Sequence, residues 1–202
     1  MEQDHLFTKE TLLLIFIGLL INFVGVRLAL LFKLPIFLDA IGTILAGALG
    51  GLLPGIIVGF FSNAINSISD PITLYYGIIS VLIGSLAAIC SKRGVFRSFW
   101  KSMLSVLLFA LIGGVIGSLL TWMLYGLDFG EGISQQFALL FYGTGVPKFP
   151  AQLCADVLID LADKLITVLI VFFGLKLIPS KWMVKLPLGY CYTEPSERSS
   201  HG

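Results

Sequence analysis

The chain has 202 residues, of which 57% are hydrophobic and only 12% are charged, and its formal net charge is +1. Soluble domains carry about 25% charged residues, so these few charges cannot cover a water-soluble surface of this size. A near-neutral chain has no field to attract nucleic acid. The sequence also contains no zinc-ligand pattern and no phosphate-binding loop, so we expect no metal, no cofactor and no nucleic-acid partner.

The apolar runs are long and do not alternate, which favours membrane-spanning helices over a β-barrel. We predict an all-α polytopic membrane protein with six transmembrane helices. They are expected at residues 11–32, 38–53, 54–69, 72–90, 100–125 and 150–178. The first run is too long for the apolar part of a signal peptide. Residues 1–180 then form one transmembrane domain, and the polar tail at 181–202 is predicted to be disordered.

The boundary between the second and third predicted helices allows two interpretations. Each spans about 24 Å at 1.5 Å per residue, so the two could instead form one long span. Pro54 and its flanking glycines favour a tight turn between them, because proline breaks a helix.

Two clusters of basic residues set the expected orientation. One precedes the fifth helix and the other follows the sixth: Lys92, Arg93, Arg97 and Lys101, then Lys176, Lys181 and Lys185. Both should be cytoplasmic by the positive-inside rule, which with six spans places both termini inside. The three cysteines, Cys90, Cys154 and Cys191, lie far apart and give no disulfide framework.

The sixth predicted helix carries a polar stripe. Its members recur at intervals of four, four, three and four residues, and so share one helical face: Gln152, Asp156, Asp160, Asp163 and Thr167. An ionisable side chain inside a membrane costs about 2.5–3.5 kcal/mol and marks a functional site by default. Asp160 and Lys164 form an i,i+4 acid–base pair. We favour a structural ion pair for Asp160, Asp163 and Lys164, whereas for Gln152 and Asp156 a ligand-facing role and a structural one stay open.

Other polar residues lie near the expected outer surface. Asn63, Asn66 and Asp70 share one face of the third helix, where they could bind a ligand or join neighbouring helices. Asp39 opens the second helix, either as its N-cap or as a ligand contact. Arg27 could extend outward or pair with a carboxylate of the sixth helix.

Aromatic and small residues leave further alternatives. Tyr76 and Tyr142 belong to an aromatic rim that is either an interfacial belt or a stacking wall for a flat heterocycle. Small residues on one face of the first helix allow close approach of another helix: Gly18, Asn22, Gly25 and Ala29.

Three segments, in this order, carry a family resemblance. They are the run Leu34-Pro-Ile-Phe-Leu-Asp-Ala-Ile-Gly-Thr43, the glycine-rich third helix with Asn63, and Asp160-Leu-Ala-Asp-Lys164 followed by an apolar run. From about residue 11 to residue 179 the chain resembles the S component, the substrate-binding membrane subunit, of energy-coupling-factor (ECF) vitamin importers. The first segment is similar to the branch that includes cobalamin transporters.

The resemblance implies a six-helix protein of the bacterial plasma membrane that binds a vitamin or related micronutrient at its outer face. The first and fifth loops would act as lids. The protein would be no enzyme, and it would join a transmembrane coupling subunit and two cytoplasmic ATPase subunits. The expected ligand-binding residues are Asp39, Asn63, Asn66, Asp70, Tyr76, Tyr142, Gln152 and Asp156. Many S components dock through an AxxxA motif, which the small face from Gly18 to Ala29 would replace here.

Two other functions remain open at this stage. The same cavity could report a ligand to a signalling partner without transporting it. Alternatively, Asp160 and Asp163 could share a proton as an intramembrane catalytic dyad. The position of both carboxyls on one helix beside Lys164, without a second catalytic helix, disfavours the enzyme.

Overall fold

The computed structural model describes residues 8–193, which form helices and turns without any strand. The helices are α1 (Lys9–Leu31), α2 (Ile41–Gly50), α3 (Leu52–Asn66), α4 (Gly77–Lys92), α5 (Phe99–Ala110), α6 (Gly117–Leu124), α7 (Gly132–Gly143), α8 (Lys148–Leu177) and α9 (Ser180–Met183). A π-helical segment, Leu111–Ile116, joins α5 to α6 in one continuous helix. Short 3₁₀ turns lie at Pro71–Leu74, Val95–Arg97 and Gly189–Cys191.

Three helical stretches in the described part of the chain are long and apolar enough to cross a membrane: Lys9–Leu31, Pro71–Lys92 and Phe99–Leu124. α2 and α3 are apolar but have only 10 and 15 residues. α8 has 30 residues and carries the buried charges. The all-helical fold is therefore confirmed, with three candidate membrane spans.

Contacts between distant segments show that the long helices run between two ends of one bundle. At one end Lys185 Nζ lies 3.7 Å from Glu10 Oε1, the Leu188 N–H donates to the Leu49 carbonyl at 2.8 Å, and the Ser91 and Tyr192 hydroxyls bond at 2.8 Å. We call this the basic end, because residues 91–101 and 176–185 carry its lysines and arginines. The opposite end, formed around residues 32–40, 66–76 and 121–148, is called the loop end.

The apolar core lies between α2, α4, α5 and α8. Its most buried side chains include Ile44, Leu49, Ile83, Phe109 and Val168. α8 packs against α5, the π-helical segment, α7, α6 and α2, so its polar stripe faces protein. Many large apolar side chains on the outer surfaces stay exposed, as a lipid environment permits.

The break between α2 and α3 occurs three residues before the predicted one. Gly51 has φ +90, a conformation that glycine adopts without strain, and it separates the two helices. Pro54 lies in the first turn of α3, where the missing N–H removes no helical hydrogen bond.

Two segments differ from their sequence-based descriptions. The long loop expected after the fifth helix contains α7, a 12-residue helix. Residues 181–193 were expected to be disordered, yet they form α9 and a 3₁₀ turn with Met183, Leu188 and Cys191 buried against the bundle. The rest of that predicted tail, residues 194–202, lies outside the described residues.

Candidate ligand-binding site and buried charge cluster

The polar stripe of α8 divides into two groups at different depths. Gln152 and Asp156 lie near the loop end and bond to Ser134 of α7. We call these three residues, with Tyr76 and Thr121, the end cluster. Asp39, Asp160, Asp163 and Lys164 lie deeper, and we call them the central cluster.

In the end cluster, Gln152 is fully buried and uses both ends of its amide. Its Nε2 donates to Ser134 Oγ at 2.6 Å and to Asp156 Oδ2 at 2.8 Å, while its Oε1 accepts from the Gly130 N–H at 3.1 Å. The Ser134 hydroxyl donates to Asp156 Oδ1. These hydrogen bonds attach α7 and the turn before it to the Gln152 and Asp156 side chains of α8. Another hydrogen-bonding group can replace them.

The other wall of the end cluster comes from Tyr76, the N-cap residue of α4, and from Thr121 of α6. The Tyr76 and Thr121 hydroxyls bond at 2.6 Å. Asp156 and Asp70 both lie within electrostatic range of the Tyr76 hydroxyl, which places the tyrosine beside the acidic part of α8. Hydrogen-bonding groups from four helices thus converge at the loop end.

A surface ion pair lies beside this cluster, where α8 begins. Lys148 Nζ is 3.0 Å from Asp128 Oδ1, and both side chains are about half exposed. The Phe129 N–H, which bonds to the Asp128 carboxylate at 2.8 Å, and then Lys148 hold the pKa of Asp128 below its ordinary value. Asp128 and Lys148 neutralise each other, so the neighbouring Asp156 is not compensated by this lysine.

In the central cluster, three carboxylates surround one ammonium group. Lys164 Nζ lies 3.2 Å from Asp160 Oδ1 and 2.6 Å from Asp163 Oδ2, and all three side chains are buried. Asp39 lies within electrostatic range of the same lysine. The acid–base pair predicted from the spacing of Asp160 and Lys164 is present, and Asp163 joins it.

Asp163 also supports a stretch of backbone that is not helical. Its Oδ1 accepts hydrogen bonds from the Phe37 N–H at 3.0 Å and the Leu38 N–H at 2.7 Å. Asp163 lies about 22 Å along α8, so the backbone of residues 37–38 meets α8 near its midpoint. Unwound backbone is tolerated at such depth only where protein satisfies its polar groups, which this carboxylate does.

Of the two alternatives predicted for Asp39, N-cap of the second helix or ligand contact, the structure does not show the first. Ala40 is the N-cap of α2 and makes no side-chain capping bond. α2 begins two residues after Asp39, just beyond the segment that hydrogen-bonds to Asp163.

Four further candidates lie outside the two clusters. Asn63 Nδ2 donates to Ser80 Oγ at 2.7 Å and so joins α3 to α4. The Asn66 side-chain oxygen is buried without a hydrogen-bond partner among residues 8–193. Asp70 caps the 3₁₀ turn Pro71–Leu74 through the Ile72 N–H at 3.2 Å. Tyr142 lies on α7, exposed, with its ring edge-to-face with Phe129.

Arg27 does not pair with a carboxylate of α8, which was one of its two predicted alternatives. Its guanidinium donates to Ser69 Oγ at 3.2 Å and stacks on the Phe23 ring at 4.9 Å. It lies at the loop end, where the first alternative, an outward-directed side chain, agrees with the structure.

The small face of α1 packs inside the chain and is not open to a partner. A Cβ on Gly18 would press on Gly42 and Val58, and one on Gly25 would overlap the Leu38 carbonyl. Between them, Asn22 bonds to Gly42, and also to Thr43 and Ser62. Ala29 is buried as well. In this structure α2, α3 and residue 38 cover the face that was expected to dock a partner.

Ser134 and Thr121 are site residues that the sequence analysis missed. Ser134 lies in a segment interpreted as loop, and Thr121 lies in an apolar helix where a lone hydroxyl carries no pattern. The one available signal was the buried amide of Gln152, which needs donors and acceptors from elsewhere in the chain.

No family model matches the sequence, and neither a curated protein nor a solved structure matches the chain. Its function must therefore be argued from the helical fold and from the two polar clusters.

Proposed function

We propose that this chain is the substrate-binding membrane subunit of an ECF-type importer, and that it captures a vitamin or related micronutrient at the loop end. The observation that carries the proposal is the end cluster. An amide, a carboxylate and three hydroxyls from α4, α6, α7 and α8 converge there, at one end of an apolar helical bundle. Polar and ionisable side chains are costly to place inside a membrane. Those of the end cluster are therefore expected to serve either helix packing or ligand binding.

A ligand that binds the end cluster would have to replace the contacts between α7 and α8. α7 buries only Ala138, and its polar attachment to α8 runs through Ser134 to Gln152 and Asp156. A ligand with hydrogen-bond donors can take the place of the Ser134 hydroxyl on Asp156 when α7 moves outward. This assigns to α7 the role that the family resemblance gives to the fifth loop.

In this proposal the protein has six spans, lies in the plasma membrane with both termini in the cytoplasm, and performs no chemistry itself. ATP would be used by two ATPase subunits, reached through a transmembrane coupling subunit. Because the Gly18–Ala29 face is covered, docking would use another surface. The outward face of α1 is exposed and apolar, with Phe16 64% and Leu20 51% accessible.

Ligand binding is the first test. Water-soluble vitamins, cobalamin included, are added singly to the purified full chain, and the rise in melting temperature is measured, since a ligand of the folded state stabilises it. One vitamin is expected to raise it, and Asp156→Asn is expected to weaken that binding at least about tenfold. Asp128→Asn is the matched control, because it removes an acid at the same end outside the cluster.

A screen in which no vitamin raises the melting temperature would contradict the proposal. So would unchanged affinity in Asp156→Asn, provided that the variant melts like the parent without ligand. Purification from native membranes separates importer from sensor: the importer is expected to copurify with ATPase subunits. Vitamin binding without them would leave the ligand-sensing alternative.

A further inference from the structure

An apolar groove runs along the outer surface between α5 and α8. This open groove has a volume of about 450 Å³ and is lined by Trp100, Met103, Leu104, Leu107, Leu161 and Leu165. Trp100 and Leu104 are 79% and 67% exposed, so the groove opens to the surroundings of the bundle. From Trp100 to Leu107 it extends about 10 Å along α5, a length that suits part of an extended hydrocarbon chain.

The groove begins at the basic end, close to the aromatic contacts that hold Lys176. The Phe99 ring lies edge-on to Trp100 and to Phe172, with centroids 5.6 Å apart in each pair. Lys176 Nζ sits 4.2 Å over the Phe172 ring, and Lys101 directly follows Trp100. Trp100 and, over the Phe172 ring, Lys176 therefore lie near the mouth of the groove, with Lys101 adjacent to Trp100 in the chain.

Neither Lys101 nor Lys176 forms an ion pair with another residue between positions 8 and 193. The ion pairs of the described residues involve Lys148, Lys164 and Lys185, whereas Lys101 and Lys176 are exposed and form none. Of the other cations nearby, Arg97 donates to the Cys191 carbonyl. The mouth thus offers positive charge to a ligand beyond the protein.

We propose that the groove binds an acyl chain of an anionic phospholipid, whose headgroup lies beside Lys176, with Lys101 as the second exposed cation of this part of the basic end. Basic pockets between membrane helices on the cytoplasmic side bind such headgroups, and the cytoplasmic leaflet supplies them. The apolar groove takes the acyl chain because its leucines contact hydrocarbon, and Trp100 lies at headgroup level. This site is separate from the end cluster; it rests on the proposed orientation, with the basic end cytoplasmic, but not on the import of a vitamin.

Tryptophan quenching by brominated lipids tests the site. The chain has three tryptophans, so Trp122→Phe with Trp182→Phe leaves Trp100 as the only reporter. This protein is reconstituted into vesicles of brominated phosphatidylcholine or of brominated phosphatidylglycerol mixed with unbrominated phosphatidylcholine. At equal bromine content, the anionic lipid is expected to quench Trp100 several-fold more effectively.

Charge removal identifies the headgroup site. Lys101→Gln with Lys176→Gln is expected to abolish the preference for the anionic lipid. Lys92→Gln with Lys181→Gln removes two exposed charges from the same end and is expected to retain it. Equal quenching by the two lipids would overturn the proposal. A preference lost equally in both double variants would overturn it too, because attraction to the whole basic surface would then explain it.

Discussion

Lys164 is the single cation of the central cluster, and its removal would leave two buried carboxylates unpaired. Breaking a buried ion pair in this way costs about 3–5 kcal/mol. We expect Lys164→Met to lower the free energy of unfolding by about that amount, measured by thermal or denaturant unfolding in detergent.

Lys181→Met is the matched control for this change, because Lys181 is exposed at the basic end. Adding Asp160→Asn to Lys164→Met should restore part of the loss, since one carboxylate then needs no cation. Equal stability of the Lys164 and Lys181 variants would mean that the cluster does not hold a charged pair.

At the loop end, the shifted pKa of Asp128 makes the stability of the fold depend on pH. Its pKa is depressed in the folded protein, so the Phe129 and Lys148 contacts stabilise the fold above the ordinary pKa and are lost as pH falls through the folded pKa. Lys148→Gln should raise the pKa of Asp128 partway, because the Phe129 N–H still bonds to the carboxylate. Carboxyl ¹³C NMR against pH measures this shift.

Lys33→Gln removes an exposed charge from the same end and should leave the titration of Asp128 unchanged. If Lys148→Gln did not move the pKa at all, the Phe129 hydrogen bond alone would explain its depression.

At the scale of elements, the π-helical segment Leu111–Ile116 fits against the polar stripe of α8. A Cβ on Gly113 would overlap the Asp160 carboxylate, and one on Gly114 would press on Val157. Gly113→Ala should therefore destabilise the protein by about 1–3 kcal/mol through overpacking. Unfolding in detergent measures the loss.

Gly174 provides the matched control within α8, because a Cβ there meets no atom within 4 Å. Gly174→Ala should be neutral, or stabilising by up to about 1 kcal/mol, since alanine favours a helix. A Gly113→Ala variant as stable as Gly174→Ala would show that α5 and α8 can separate without cost.

The periodicity of the sequence predicted those features whose polar or apolar pattern lies within a single segment. The shared face from Gln152 to Thr167, the Asp160–Lys164 pair and the continuous helix near Trp100 follow from spacing and hydropathy within one segment. The partners of Asp163 could not be predicted in this way, because the Leu38 N–H lies 125 residues earlier. α7 was missed because its polar residues and flanking glycines are typical of a loop, whereas its contacts with α8 stabilise a helix.

For the whole molecule, the number of membrane crossings depends on α2 and α3. α3 runs from the basic end toward the loop end over 15 residues, or about 22 Å. In a six-span protein, reporter fusions at Gly51 and Ser69 are expected to read from opposite sides of the membrane. Fusions at Gly94 and Gly126, which flank the longest apolar helix, provide the reference pair. Same-side signals from Gly51 and Ser69 would reduce the number of crossings and contradict the six-span arrangement.

The bond between Asp163 and residues 37–38 also constrains the order of biosynthesis. A ribosome delivers the Leu38 peptide group long before the carboxylate that accepts its hydrogen. Until α8 is synthesised, the amides of residues 37–38 must hydrogen-bond to water or to the insertion machinery. The first connection of the chain is therefore among the last to reach its native shape, and a nascent protein halted before α8 would expose it for degradation.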